Sequence, residues 1–368
     1  MAAKKTCFAQ LVVGPPGAGK TTFCNGMQQF LTALGRCAPL LHCLPEPLRS
    51  LLALWLTLPL LPRSTVSVVN VDPANDHLPY PVAVDTRDLV DLAEVMERMQ
   101  LGPNGGTLFC LEYLEKNIDW LLERLAPLVA AGHYLLFDFP GQVELFTNHS
   151  SVANIIARLT KLDYRLCAVH LVDAHYCSDA AKFMSVLLVS LTTMLKLELP
   201  HVNVLSKVDL IEQYGQLPFS LDFYTDVLDL SYLCDRLDQS MGAKKGQKET
   251  KYSKLNRAMA ELVEDFSLVG FVTCAVEEKE SMANVLRLID KANGYCFGDL
   301  PLHPGAYHMT AAADGGDGKW ESERTMEVQE RHMSRAPLTP WTHSRSPSLS
   351  LAKHASVGYR RWEGWRCW

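Results

Sequence analysis

A glycine-rich run near the start of the chain has the residue types and spacing that hold phosphates. The run GPPGAGKT matches G-x-x-x-x-G-K-[ST], follows an apolar segment and opens a helical pattern. Its backbone N–H groups and the helix N-terminus attract phosphate oxygens, the lysine reaches the β- and γ-phosphates, and the first threonine ligates Mg²⁺. The candidate nucleotide-binding residues are Gly14, Pro15, Pro16, Gly17, Ala18, Gly19, Lys20, Thr21 and Thr22.

A second run, DFPGQ, indicates which reaction this phosphate loop serves. It ends the apolar stretch HYLLF, and its first residue, Asp138, is placed to hold Mg²⁺ through water. Gly141 leaves the backbone free to approach a γ-phosphate, Gln142 can orient a water, and Glu144 follows closely. An ATP-driven motor usually carries Asp-Glu at this place, whereas Asp-x-Pro-Gly-Gln resembles the switch of regulatory GTPases.

The run SKVD at 206–209 favours guanine over adenine. It follows the apolar strand pattern HVNVLS, where guanine-specific proteins carry Asn/Thr-Lys-x-Asp. The Asp209 carboxylate can accept from two guanine N–H groups that adenine does not offer, and a buried unpaired carboxylate discriminates strongly. The Lys207 stem can lie over the base. Ser206 departs from the usual Asn, and the loop after the last strand pattern is too generic to assign residues.

Two more segments contain candidate site residues because of the motifs that surround them in the sequence. VNVDPA places Asp72 at the end of a strand pattern, pointing towards the phosphate end of the domain. Gly102, Pro103 and Asn104, followed by two glycines, form a strong turn signal between the second and third strand patterns.

Alternating apolar and amphipathic segments must position these residues. Strands alternating with helices predict an α/β P-loop NTPase fold, with a mostly parallel sheet, helices on both faces and ligands at the carboxyl ends of the strands. The predicted strands are Phe8–Val13, Val66–Val71, Tyr134–Phe137, Leu166–Val172, Val202–Leu205 and Leu268–Cys274. The predicted helices are Gly19–Leu34, Leu108–Leu128, Ser151–Leu162, Asp179–Leu195, Asp222–Leu237, Lys254–Phe266 and Ser281–Ala292.

Composition sets the class and the compartment. The 368 residues carry 35 Lys+Arg and 41 Asp+Glu, a net charge of −6, which argues against a direct nucleic-acid binder. The 11 cysteines are scattered, and the N-terminus shows no signal-peptide pattern, so a reducing cytosolic or nuclear compartment is expected.

Two segments interrupt the pattern of one domain. Residues 1–36 and 65–300 are predicted to form a single P-loop GTPase domain. Residues 37–64 are predicted to be an insertion of uncertain structure, whose apolar run is too short for the roughly 20 residues of a membrane span, so no membrane partner is expected. Residues 301–368, rich in Ser, Pro, His, Arg and Gly, are predicted to be a disordered tail.

The motifs GPPGAGKTT, VNVDPAN, LGPNGG, DFPGQVEL and LSKVDL together resemble the GPN-loop GTPases, and the remaining text resembles the GPN-loop GTPase 2 branch. The resemblance covers residues 6–36 and about 66–297. It implies Mg²⁺-dependent GTP hydrolysis by a homodimer, or by a heterodimer with a related GPN-loop GTPase. It also implies that the loop of Gly102, Pro103 and Asn104 enters the partner's site, and that Asp72, Gln142 and Glu144 serve the Mg²⁺ and the water.

The resemblance further implies a role in assembly or nuclear import of RNA polymerase II, with its subunits or assembly factors as partners. A cytoplasmic location with shuttling to the nucleus fits that role. The alternative is a nucleotide-binding assembly scaffold with negligible hydrolysis, in which the insertion disturbs Asp72. A nucleotide kinase is a weaker alternative, since its usual acceptor-binding and arginine-rich lid elements are not identifiable.

Overall fold

The computed structural model describes residues 6–34, 66–240, 252–266, 268–295 and 317–333, with side chains of the last segment described from residue 325. The predicted insertion at 37–64 lies outside the described residues, as does the predicted tail except for 317–333.

One parallel sheet organises the described chain. Its strands are β1 (Cys7–Val13), β2 (Val66–Asn70), β3 (Val82–Asp85), β4 (Tyr134–Asp138), β5 (Tyr164–Asp173), β6 (His201–Ser206) and β7 (Phe271–Cys274). They lie in the order β3-β2-β4-β1-β5-β6-β7, and each neighbouring pair is parallel. Because β1 is central, its carboxyl end meets the ends of β4 and β5, where the predicted chemistry lies.

Helices lie between the strands along the chain and follow the last strand. They are α1 (Lys20–Ala33), α2 (Leu92–Met99), α3 (Pro103–Lys116), α4 (Ile118–Ala131), α5 (Glu144–Thr147), α6 (Ser151–Lys161), α7 (Ala180–Leu197), α8 (Leu221–Asp226), α9 (Ser231–Ser240), α10 (Ser253–Phe266), α11 (Lys279–Asn293) and α12 (Asp317–His332). Three 3₁₀ segments, Thr86–Asp88, Ala174–Ser178 and Val208–Tyr214, follow β3, β5 and β6.

Apolar residues cover the sheet on both faces. Along β1, Leu11 and Val13 pack in a cluster with buried residues of α3, α4 and α6, while Val12 packs in another with residues of α1 and α11. A third cluster contains residues of α7, α8, α9 and α10 together with residues from the ends of β5, β6 and β7. Since successive side chains of a strand point to opposite faces, this confirms the predicted parallel sheet with helices on both faces.

Several predicted elements differ in detail. The helix predicted over 108–128 is two helices, because Asn117 leaves the helical conformation and its side-chain amide donates to the Tyr113 carbonyl. The helix predicted over 222–237 is likewise two, α8 and α9. Strand β3 was not predicted, since a four-residue edge strand gives little periodicity. The Gly102-Pro103-Asn104 turn signal is the start of α3, with Gly102 as its N-cap and Pro103 in the first turn, where proline is favourable.

Part of the segment predicted to be a disordered tail forms a helix in the structure. Residues Asp317–His332 form α12, and Val328 on this helix and Met333 just after it pack against the cluster beneath β5 to β7. The backbone N–H of Leu221 donates to Gln329 Oε1 at 2.9 Å. Tertiary contacts therefore hold a helix that its polar sequence, without sustained periodicity, does not predict.

One described helix, α7, is long and apolar enough to cross a membrane, and about half of it is buried within the protein. Its buried residues pack in the cluster beneath β5 to β7, where Phe183 meets Tyr224 edge to face. The helix thus also has the composition expected for a core element of an α/β fold.

We predict that Phe183→Ala lowers the free energy of unfolding by about 3–5 kcal/mol, because it leaves a cavity among α7, Tyr224 and Phe271. Urea denaturation monitored by circular dichroism measures this. The control is Leu195→Ala on the same helix, where the side chain is 48% exposed and the loss should be under about 0.5 kcal/mol. Equal losses for the two variants would contradict the assignment of this helix face to the core.

Candidate functional site

The phosphate loop leaves β1 at Val13 and enters α1 at Lys20. A Cβ atom at Gly14 would lie 2.3 Å from the Leu171 carbonyl oxygen of neighbouring β5, so only glycine fits there. On its far side the loop is held by Ser206, whose Oγ lies 2.8 Å from the Ala18 carbonyl oxygen and donates to it. The loop is therefore positioned between two strands before any ligand arrives.

Lys20 is folded back into this loop. Its ammonium donates to the carbonyl oxygens of Gly14 at 3.2 Å and Pro15 at 3.1 Å, and the residue is only 8% exposed. Burial lowers the pKa of Lys20, and the negative charges of Asp138 and Asp72 oppose that shift. A buried cation whose partners are mostly loop carbonyls is well placed to move onto a phosphate oxygen.

The Asp138 carboxylate at the end of β4 fits the predicted Mg²⁺ role. Tyr80 donates its hydroxyl hydrogen to Asp138 Oδ2 at 2.7 Å, while Oδ1 is buried without a hydrogen-bond partner in the described chain. Burial raises the pKa of Asp138, and the neighbouring hydroxyls of Tyr80 and Thr21 and the charge of Lys20 oppose the rise. Thr21 Oγ1 in turn accepts from Asn75 Nδ2 at 3.0 Å.

A carboxylate oxygen with free acceptor capacity beside a threonine hydroxyl is the hard-oxygen donor set that Mg²⁺ takes, usually together with substrate phosphates and water. Within the described ranges no group of three or more His, Cys, Asp or Glu side chains could hold a metal without such help. Thr21 and Asp138 therefore suit an ion that arrives with a nucleotide.

Asp72 follows β2 and is held by hydrogen bonds to residues next to it in the sequence. Its Oδ1 accepts from the Ala74 N–H at 2.9 Å, and its N–H donates to Asn70 Oδ1 at 3.2 Å. Asn70 also donates to Asp85 Oδ1 at 3.0 Å, and Arg87 pairs with both oxygens of Asp85. Burial raises the pKa of Asp72, opposed by the Ala74 hydrogen bond and the Lys20 charge.

The turn after β4 touches the phosphate loop. A Cβ atom at Gly141 would lie 2.8 Å from Lys20 Nζ and 2.8 Å from Pro16 Cα, so glycine permits this approach. The next residue, Gln142, donates from Nε2 to Asn104 Oδ1 of the same chain at 3.5 Å. The structure thus brings the start of α3 to the DFPGQ turn, while Glu144 begins α5 with an exposed side chain.

The SKVD run forms the other end of the site. Lys207 adopts a left-handed conformation (φ 58°), and its ammonium donates to the Gly17 carbonyl at 2.6 Å and to Asp173 Oδ2 at 2.8 Å. The lysine stem therefore crosses the phosphate loop and ends on the carboxylate that terminates β5. Asp209 is exposed in the 3₁₀ segment Val208–Tyr214, open to a ligand.

Sequence reasoning missed three residues that hold site side chains in place. Tyr80 bonds Asp138, Asn75 bonds Thr21, and Asp173 pairs with Lys207. Asp173 could have been identified from the sequence, because it directly follows the apolar strand pattern Leu166–Val172. In the sheet it is paired with Ser206 of the SKVD run. Asn75 lies in the quoted VNVDPAN run, whereas nothing local to Tyr80 marks its partner.

Comparisons with known proteins identify the family of the chain. A family model described as "Conserved hypothetical ATP binding protein" matches residues 57–295. A Danio rerio protein named "GPN-loop GTPase 2" is 51% identical over 326 residues, which cover 89% of this chain and 92% of that protein. The chain belongs to the GPN-loop GTPase family. The predicted similarity to the GPN-loop GTPase 2 branch is confirmed by the same relative.

Two further proteins support the family and the fold, respectively. "GPN-loop GTPase QQT1" of Arabidopsis thaliana is 47% identical over 327 residues, covering 89% of this chain and 97% of that protein. A solved apo structure of a GTPase from Pyrococcus abyssi shares 20% identity with a TM-score of 0.56, covering 77% of this chain and 97% of that one. That likeness shows the P-loop GTPase fold alone.

The family resemblance extends further than the sequence motifs indicate. Because 89% of 368 residues is about 327, an alignment that begins at Met1 still reaches beyond residue 320. The limit of the resemblance near residue 297 is therefore wrong, and the aligned GPN-loop GTPase sequence reaches into α12.

We predict that Gly141→Ala weakens binding of a nonhydrolysable guanosine triphosphate analogue about tenfold or more, while the diphosphate loses less than about threefold. The added methyl meets the rigid Pro16 backbone, and such overpacking costs roughly 1–3 kcal/mol. Titration calorimetry measures both affinities. The control is Gly270→Ala, whose Cβ meets only the Thr225 carbonyl oxygen at 3.5 Å. Equal weakening of both nucleotides would show that the turn does not face the γ-phosphate.

Proposed function

We propose that the chain is a Mg²⁺-dependent GTPase that acts as a dimeric switch. The observation that carries this proposal is the contact of Gly141 with Lys20 and Pro16. A turn that touches the phosphate loop can respond to whether a γ-phosphate is present, which is the requirement for a nucleotide-dependent switch. The base end, formed by Lys207 and Asp209, supports guanine as the base.

The reaction would be in-line attack of water on the γ-phosphate. Lys20 would leave the carbonyls of Gly14 and Pro15 and bind the β- and γ-phosphates, where backbone amides and the α1 N-terminus stabilise the same charge. Gln142 would orient the water, with Asp72 and Glu144 assisting. Thr21 and Asp138 would hold Mg²⁺, which neutralises charge that develops on the phosphate oxygens. The negative charge of Asp72 interacts with Lys20, which supports its assisting role beside Gln142.

The guanine preference is tested by exchange of one carboxylate. We predict that Asp209→Asn lowers GTP affinity at least about 100-fold and raises affinity for xanthosine triphosphate, because the amide offers a donor where guanine needs an acceptor. Fluorescence titration with GTP, ATP and xanthosine triphosphate measures the change. Lys20→Ala serves as the variant without phosphate binding. Equal affinity of the unchanged protein for ATP and GTP would reject guanine, and tight GTP binding without single-turnover hydrolysis would favour the scaffold alternative.

The dimer proposal gives Asn104 a role in the partner's site. Its position at the exposed N-terminus of α3, 3.5 Å from Gln142, supports a role at the γ-phosphate end, and family resemblance supports its action across the dimer. The same contact within one chain is the alternative. A complementation experiment separates the two.

We predict that Asn104→Ala and Lys20→Ala, each poorly active alone, recover hydrolysis when mixed. In the mixed dimer, the Asn104→Ala protomer binds nucleotide and receives an intact Asn104 from its partner, so activity should rise to about a quarter of the unchanged dimer if protomers mix at random. Phosphate release measures this. Mixing Asn104→Ala with the double variant Lys20→Ala/Asn104→Ala is the control. The same low rate in both mixtures would place Asn104 in its own chain's site.

The client is proposed on family resemblance alone. We propose that the nucleotide state of the dimer exposes or hides a surface for RNA polymerase II subunits or assembly factors, from a cytoplasmic location with shuttling to the nucleus. No direct nucleic-acid contact or membrane is part of this proposal. Polymerase subunits are expected to co-purify with the tagged chain more strongly in one nucleotide state than in the other. Identical recovery with GDP, with a triphosphate analogue and with Lys20→Ala would contradict a nucleotide-dependent client.

A further inference from the structure

The helix near the C-terminus, α12, lies against the base end of the site. Val328 and Met333 pack in the apolar cluster that contains Val208 and Ile211, the buried residues of the 3₁₀ segment that carries Asp209. Gln329 accepts the Leu221 N–H, which begins α8 just beyond that segment. One face of α12 is therefore attached to the turn that follows β6.

The last residues of α12 bind a different turn. Arg331 Nη1 donates to Glu278 Oε2 at 3.3 Å, and His332 Nε2 lies 2.9 Å from Glu278 Oε1. The Glu278 N–H donates to the Ala275 carbonyl at 3.1 Å and so closes the turn that follows β7. The Ala275 N–H is held by Ser281 Oγ at 3.0 Å. A short chain of bonds thus leads from α12 to the first residue after β7.

These two turns begin side by side. Ser206 at the end of β6 is paired in register with Cys274 at the end of β7, so the segments that follow leave the same edge of the sheet. In the proposed function, the first segment recognises guanine through Asp209, and the second lies beside it at the carboxyl edge of the sheet, where ligands of such folds bind. The helix α12 contacts both segments, the first through the apolar cluster of Val208 and Ile211 and the second through the bonds to Glu278.

We propose that α12 is a positioning element that holds the two base-end turns at a fixed separation and so slows release of the nucleotide. This inference rests on the proposed function, since it assigns the base to these turns. The physical basis is preorganisation: a wall already held by Val328, Gln329 and the Glu278 bonds need not be ordered when the base binds. Without α12, the turn after β7 would keep its links to α11 and the sheet and the packing of Val276 beside Gly26 of α1.

Glu278→Gln in the full chain is the central variant, because it weakens the bonds to both Arg331 and His332. Partly exposed pairs of this kind contribute up to about 1 kcal/mol, so release of a fluorescent GDP analogue should become about threefold to fivefold faster in stopped flow, with the association rate unchanged. The matched control is Glu280→Gln, an 84% exposed carboxylate whose ion pair among the described residues is a long one, 3.9 Å from Arg331. Release from this variant should stay within about 1.5-fold of the unchanged protein.

A double-variant cycle decides whether Glu278 acts through the helix. In a chain carrying Arg331→Ala and His332→Ala, Glu278→Gln should add little further acceleration, because its partners are already gone. An equal acceleration in that background would overturn the proposal. Affinity for pyrophosphate, which occupies the phosphate loop without a base, should not change in any of these variants. A parallel loss of pyrophosphate affinity would indicate general loosening of the fold and would also overturn it.

The same measurements keep the two proposals separate. If the unchanged protein binds ATP as tightly as GTP, the guanine assignment fails. The effect of Glu278→Gln on release of whichever nucleotide binds still decides the role of α12. If GTP is preferred but release is unaffected, the function stands and the positioning role of α12 falls.

Discussion

The buried ammonium of Lys20 is the charge on which the rest of the site depends. Removing an ammonium from water costs several kcal/mol, and here two loop carbonyls and the carboxylates of Asp138 and Asp72 offset that cost. The carboxylates are themselves stabilised by Lys20, because burial alone would favour their protonated forms. Lys20 and the two carboxylates therefore favour one another's charged forms. The ends of β1, β2 and β4 must therefore lie together, as the strand order places them.

The interdependence explains why Tyr80 matters although it is not itself among the predicted site residues. Its hydroxyl occupies one oxygen of Asp138 and leaves the other with acceptor capacity. A carboxylate that accepts a hydrogen bond from a neutral hydroxyl stays oriented, and a second cation does not neutralise its negative charge. In the same way Asn70, Asp85 and Arg87 orient the backbone around Asp72 without competing for its side chain.

The motifs and the class of fold were predictable because their information is local. GPPGAGKT combines the strand end, the turn and the helix start in one run, and the apolar strand patterns reach the correct strands within a few residues. What sequence could not provide depends on distant contacts. Tyr80 meets Asp138 across 58 positions, and α12 is held by Leu221 and Glu278, far from it in sequence. The break at Asn117 was missed because an apolar pattern continues through it. In the structure Asn117 leaves the helical conformation, and both its backbone N–H and its side-chain amide donate to the Tyr113 carbonyl.

Because β1 is central, the site residues fall into two groups, one on each side of this strand. On one side, β2, β3 and β4 carry Asp72, Asp138 and the Gly141 turn; on the other, β5, β6 and β7 carry Asp173, Lys207 and the turns bound by α12. Under the proposed function, changes on the first side would act on the chemistry at the γ-phosphate, and changes on the second would act on how long the nucleotide stays bound. The rate of turnover and the residence time of the nucleotide could then change independently during evolution, so that a slow or a fast timer could arise from the same catalytic half of the domain.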